Sequence, residues 1–65
     1  MKLTVNGEPY ETVQNTIAGL LSELSIQSDR VAVEVNVAIL RRTEFDAFVL
    51  HEGDAVEIVN FVGGG

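Results

Sequence analysis

"KLTVNGEPYETVQNTIAGLLSEL", residues 2–24, contains the change of period that decides the fold. It opens by alternating: Leu3 and Val5 fall on one face, Lys2 and Thr4 on the other, as in a half-buried strand. Asn6-Gly7 follows at once, and both residue types tolerate the positive φ that a two-residue hairpin turn demands. The returning run, "EPYETV", contains Pro9, which has no N–H to give a ladder and so belongs at a sheet edge. Then the period lengthens. In "NTIAGLLSEL" the residues Ile17, Leu20, Leu21 and Leu24 recur at i, i+3, i+4 and i+7, one stripe of a helix of about two and a half turns. Asn15 or Thr16 can cap its exposed N–H groups. Gly19 inside it costs roughly 1 kcal/mol relative to alanine, so this helix must depend on packing.

Strand patterning resumes in "RVAVEVN" (30–36), where Val31, Val33 and Val35 face one way and Ala32 and Glu34 the other. "VAIL" (37–40) follows after a tight turn. "RRTEFDAFVL" (41–50) has no regular period, and its Phe45, Phe48 and Leu50 are expected to fold back over the core. "HEGD" reads as a turn. "AVEIVNFV" (55–62) reads as the last strand, with Val56 and Ile58 toward the helix and Glu57, Val59 and Phe61 on the opposite face. The order is β-β-α-β-β-β. A hairpin, a helical crossover and further strands make an α+β pattern, and the right-handed crossover rule leaves few ways to assemble it. The expected result is a β-grasp: a mixed sheet of about five strands, covered on one face by one helix.

Sixty-five residues allow one domain, expected over 1–62, followed by a flexible glycine tail at 63–65. A chain of this size buries only about 60% of the surface its unfolded form exposes, so a large active site beside the core is not affordable. Ten acidic residues against four basic ones give a net charge of −6. That field repels phosphate and argues against a nucleic-acid binder. Arg41-Arg42 reads as a solvated loop, and an acidic surface suits a basic protein partner. With no cysteine, a thiol nucleophile, a disulfide framework and cysteine metal sites are all excluded. "MKLTVNGEPY" lacks the apolar run of a signal peptide, and no stretch approaches the about 20 apolar residues of a membrane span. The expected location is cytoplasmic, with no membrane partner.

Independent catalysis finds no support. His51 is the only histidine; it lies in a turn, and a catalytic base needs a positioned partner that "LHEGD" does not supply. One histidine and scattered carboxylates do not form a metal ligand set. No glycine-rich loop precedes the helix to cradle a phosphate.

Attention passes to "NFVGGG", where the chain closes on three residues that bury nothing and lose the most backbone freedom on ordering. A terminal carboxylate on a bare glycine arm can enter another protein's active site and be activated there. Adenylation turns a poor electrophile into a mixed anhydride, and side chains near the end would widen the channel required. The alternative is simple fraying of a terminus.

Four motifs in this order bear on the choice: "MKLTVNGEP", "VAVEVN", "GDAVEIV" and the terminal "FVGGG". Together they resemble the sulfur carrier proteins of thiamine biosynthesis, the ThiS family, from Lys2 to Gly65. The resemblance implies a ubiquitin-like β-grasp fold. It also implies that the Gly65 carboxylate is adenylated by a ThiF-type activating enzyme using ATP and magnesium, with no cofactor bound by the chain itself. A sulfur relay fed by a cysteine desulfurase would convert it to a thiocarboxylate, and thiazole synthase (ThiG-type) would take the sulfur. Gly65 is then the covalent carrier site, Gly63 and Gly64 thread the partner's active site, and the chain is a carrier rather than an enzyme.

Two positions depart from the family's pattern. Val37 stands where the family often has the glycine of an Asn-Gly turn, so this turn is expected to be bulged or of another type, and Arg41 stands where a proline often precedes the arginine. Rival readings are the carrier subunit of molybdopterin synthase, a ubiquitin-like modifier, for which Lys2 is the only lysine, and a noncovalent β-grasp binding module. Val59 and Phe61, apolar on a face that no helix covers, are the candidate partner-docking residues.

Overall fold

A computed structural model describes residues 1–61. Six elements follow the expected order: β1 (Lys2–Val5), β2 (Glu8–Glu11), α1 (Ile17–Glu23), β3 (Val31–Val35), β4 (Ala38–Leu40) and β5 (Ala55–Asn60). The five strands form one sheet in the order β2-β1-β5-β3-β4. β5 is therefore central, parallel to β1 and antiparallel to β3. β2, with Pro9, is an edge strand, as a residue without an N–H requires. The helix packs on one face, making this the mixed-sheet β-grasp that the patterning predicts.

One apolar layer lies between helix and sheet. Ile17, Leu20 and Leu21 come from α1, Leu3 from β1, Val31, Val33 and Val35 from β3, and Val56 and Ile58 from β5. Leu24, the last member of the helical stripe, is only half-buried because it is the C-cap. Thr16 caps the helix at one end, and it stops after seven residues, one short of the Ile17–Leu24 stripe, because a left-handed residue turns the chain just beyond. Thr16 Oγ1 accepts the Gly19 N–H at 3.1 Å. At the C-terminus Ser25 has φ 60. Ile26 N–H reaches Leu21 C=O at 2.8 Å and Ser25 N–H reaches Ser22 C=O at 3.0 Å, the paired bonds of a Schellman motif.

Gly19 also finds its explanation. A Cβ there would sit 2.6 Å from Gln14 Oε1 and 3.3 Å from both Gln14 Cβ and Thr16 Oγ1. The first contact involves a movable side-chain end, but the other two would crowd the cap itself.

The irregular segment does fold over the core: Phe45 and Leu50 are buried and Phe48 is half-buried. Its backbone carbonyls close the start of the helix, since Ile17 N–H donates to Phe48 and Ala18 N–H to Phe45. Two short 3-10 turns, Ser28–Arg30 and Arg42–Glu44, add to the expected elements. Arg41, at the proline-favouring position, gives its N–H to Glu44 Oε1 at 2.7 Å; a proline there would have no N–H to give.

Both hairpin turns hold two residues at positive φ: Asn6 (50) and Gly7 (82), then Asn36 (51) and Val37 (63). Pairing of Val35 with Ala38 leaves two residues between β3 and β4, so this second turn keeps the I′ form and is neither bulged nor of another type. Val37 is 92% exposed. The last strand ends sooner than its pattern suggests, at Asn60, although Phe61 N–H still bonds Arg30 C=O at 2.9 Å.

Candidate functional site

Gly63, Gly64 and Gly65, the residues to which the sequence points for chemistry, lie outside the described residues. The described part of the site is the outer face of the sheet where β5 runs out. Alternation along β5 buries Val56 and Ile58 and turns Ala55, Glu57 and Val59 outward. Val59 is 61% exposed and Phe61 58% exposed; Val59 lies on the face that the helix does not cover, and Phe61 follows the end of the strand.

Register adds neighbours to that face. Val59 lies directly opposite Ala32, and Glu57 opposite Glu34, which in turn pairs with Ile39 of β4. Ile39 is 77% exposed. Sequence reasoning did not single it out, although its place opposite Glu34 in the β3–β4 hairpin follows from a two-residue turn after Val35. The outer face thus combines exposed aliphatic and aromatic groups with two carboxylates directly across from one another. Like charges so placed are destabilising.

Elsewhere, potential reactive groups are already committed to structure. His51 is exposed; its backbone N–H donates to Asp54 Oδ2 at 2.8 Å, while Asp54 Oδ1 accepts from Asn36 Nδ2 at 3.0 Å. The neighbouring carboxylates thus serve the backbone: Asp54 organises turns, and Glu52 Oε1 accepts the Lys2 N–H at 3.1 Å. Thr12, a buried hydroxyl, donates to Glu23 and accepts the Gln14 N–H. Burial, then the charge of Glu23 and a hydrogen bond to it, raises the Tyr10 hydroxyl above its ordinary pKa, away from the neutral range in which an unperturbed phenol is already protonated. Among the described residues, no group of three or more His, Asp or Glu can hold a metal ion. No described helix is long and apolar enough to cross a membrane.

A second feature of the site was invisible in the sequence. The Asn6 side chain bonds the backbone of Ile58 twice: Oδ1 accepts the Ile58 N–H at 2.7 Å and Nδ2 donates to its C=O at 3.2 Å. Asn at the first turn position is readable as a positive-φ residue. Its contact with Ile58 depends on β5 lying beside β1, which no local pattern announces.

A mixed sheet gripping one helix, with apolar groups exposed where its central strand runs out, defines a small β-grasp domain of the ubiquitin-like class. Comparison with known proteins narrows this. The ThiS family model matches residues 3–65. A crystal structure of a thiamine biosynthesis protein (ThiS) from Geobacter metallireducens superposes with a TM-score of 0.85 at 43% identity, covering all of both chains. The "Sulfur carrier protein ThiS" of Bacillus subtilis is 34% identical over 97% of this chain and 98% of its own length. A "Thiazole synthase" of Magnetococcus marinus is 44% identical over the whole chain, which spans only 20% of that protein's length. The chain belongs to the ThiS family, the sulfur carrier proteins of thiamine biosynthesis.

Proposed function

We propose that the chain carries sulfur on the carboxylate of Gly65 and delivers it to thiazole synthase. In the first step that carboxylate attacks the α-phosphorus of ATP on a ThiF-type enzyme, forming an acyl-adenylate and releasing pyrophosphate, with magnesium held by the enzyme. A persulfide supplied through a cysteine desulfurase relay then attacks the acyl carbon and AMP leaves; a second thiol of the relay attacks the inner sulfur of the acyl disulfide so formed, becomes a disulfide with it, and releases the carrier's sulfur on the acyl carbon. The resulting thiocarboxylate gives its sulfur to the synthase. Gly63 and Gly64 pass through channels shaped for bare backbone. The observation that carries this reading is the full-length likeness to a protein named as a sulfur carrier. Similarity to one fifth of two thiazole synthases favours that enzyme over molybdopterin synthase as the recipient.

Val59 and Phe61 dock the activating enzyme. Their exposure, with Ile39 beside the Glu34–Glu57 pair, suits a partner surface that is apolar at its centre and basic around it. Phe61→Asp leaves the melting temperature nearly unchanged and raises the KM for the activating enzyme's carrier substrate; unfolding of the variant would assign Phe61 to the core instead.

The decisive experiment follows intact mass with activating enzyme, ATP and the sulfur relay. The full chain gains the difference between one sulfur and one oxygen, localised to Gly65. Gly64→Ala folds normally and charges slowly. Deletion of Gly65 leaves a carboxylate about 3.5 Å short of the reaction centre, and since a 1 Å misplacement can cost about a hundredfold, that chain stays uncharged. Equal charging of the deletion variant would overturn the assignment of Gly65.

A further inference from the structure

The geometry points to Asn6 as a positioning residue for the C-terminal glycines, acting through the strand that carries them. This assignment rests on the carrier reading above. β1 pairs with β5 only at Thr4–Ala55 and Val5–Val56, whereas β3 pairs with β5 as far as Asn60. Beyond Val56, therefore, β5 has a flanking strand on one side only. A strand held by one neighbour twists more strongly about it, as two-stranded ribbons do.

Asn6 fills the missing side. Its carboxamide has the polarity of a peptide unit and satisfies both main-chain groups of Ile58, at 2.7 Å and 3.2 Å, which a continued parallel ladder would bond to two different β1 residues. Hydrogen bonding on the β1 flank of β5 thus extends past Val56 without further main chain. Positive φ at Asn6 (50) directs the backbone into the hairpin while the side chain stays in line with β1. Phe61 lies three residues, about 10 Å, further along, and its N–H to Arg30 C=O bond is the last described contact on the β3 side. Ile58 and Phe61 are thus fixed from opposite flanks, and together they set the course of residues 58–61.

The fold supplies its own control. Asn36 occupies the same position in the other turn at nearly the same φ, and its Oδ1 also accepts a β5 N–H, that of Ala55, at 3.0 Å. Asn36 holds the beginning of β5; Asn6 holds the outgoing half. Loss of either weakens the sheet, but only loss of Asn6 redirects the strand's end.

The test compares Asn6→Gly with Asn36→Gly in the full chain; glycine keeps the positive φ of each turn and removes only the carboxamide. Residual dipolar couplings and amide exchange are measured on the free protein, and kcat and KM for adenylation with the activating enzyme. Asn6→Gly is expected to expose the Ile58 amide to exchange, to change the couplings of 58–61 and to leave those of 31–35 in place. Its kcat falls about tenfold to a hundredfold, the scale of a small misplacement of reacting groups, with little change in KM. Asn36→Gly loses comparable stability and keeps the parent kcat. Asn6→Asp retains the acceptor for Ile58 N–H and recovers part of the rate. Unchanged couplings at 58–61, or equal kcat losses in the two glycine variants, overturn the assignment. A parent chain that is not adenylated at all overturns the carrier reading instead, and the couplings alone then decide whether Asn6 sets the course of β5.

Discussion

The two hairpin turns share a backbone and differ in one side chain. Asn6-Gly7 and Asn36-Val37 both hold two residues at positive φ, and both asparagines reach β5. Gly7 meets the demand of the first turn without strain, whereas Val37 places a β-branched side chain where L-residues are crowded against their own carbonyl. No packing compensates, because Val37 is 92% exposed. Strand register and the asparagine bonds to β5 dictate the turn, and the residue at its second position must comply. Local propensity was overruled by the sheet.

This comparison can be broken most forcefully at Gly7. A Cβ there meets nothing within 4 Å and φ is +82, so Gly7→Val tests conformational strain without steric clash. It is expected to cost about 2 kcal/mol, at the upper end of the left-handed penalty for a non-glycine residue. In a domain this small that lowers the melting temperature by about 8–16 °C, read by thermal or urea unfolding. A loss below about 0.5 kcal/mol would mean that the first turn tolerates what the second tolerates, and that strain is not what distinguishes them.

The reciprocal change is smaller because glycine gives back entropy. Relief of the left-handed penalty, set against the greater freedom of glycine in the unfolded chain, leaves a gain of about 0.5–1 kcal/mol for Val37→Gly. The melting temperature rises accordingly. A fall would show that Val37 makes a contact worth more than its strain.

Val37→Ala is expected to gain only a few tenths of a kcal/mol, since alanine escapes the β-branch but not the left-handed region. Val37→Thr, still β-branched, leaves the unfolding midpoint within experimental scatter. The series Thr, Ala, Gly should therefore rise in that order; a flat series would assign the cost to the position's exposure rather than to its φ.

The same contrast marks how far the sequence could be read. The hairpin, the helix stripe and the valine strand were legible because each has its own period, and Leu3, Ile17, Leu20, Leu21, Val33 and Val56 are buried as those periods require. The 3-10 turns at Ser28–Arg30 and Arg42–Glu44 were not, since three residues carry no period. Nor was the central place of β5, because pairing between strands about fifty residues apart depends on closing the whole chain. For the site, alternation alone put Val59 on the outer face. Ile39 joined it only through its register with Glu34, and Asn6 only through its neighbour Ile58. The chemistry proposed at Gly65 rests on motif rather than on geometry.

The parallel pairing of β1 with β5 has a mechanical consequence. Tension applied between residues 2 and 61 pulls these adjacent strands along their length in opposite directions, so their bonds and the Asn6–Ile58 pair bear load together instead of opening one after another. The joint between the first and last strands thus resists sliding, and a pulling experiment through those two residues should meet a distinct force peak before the sheet yields.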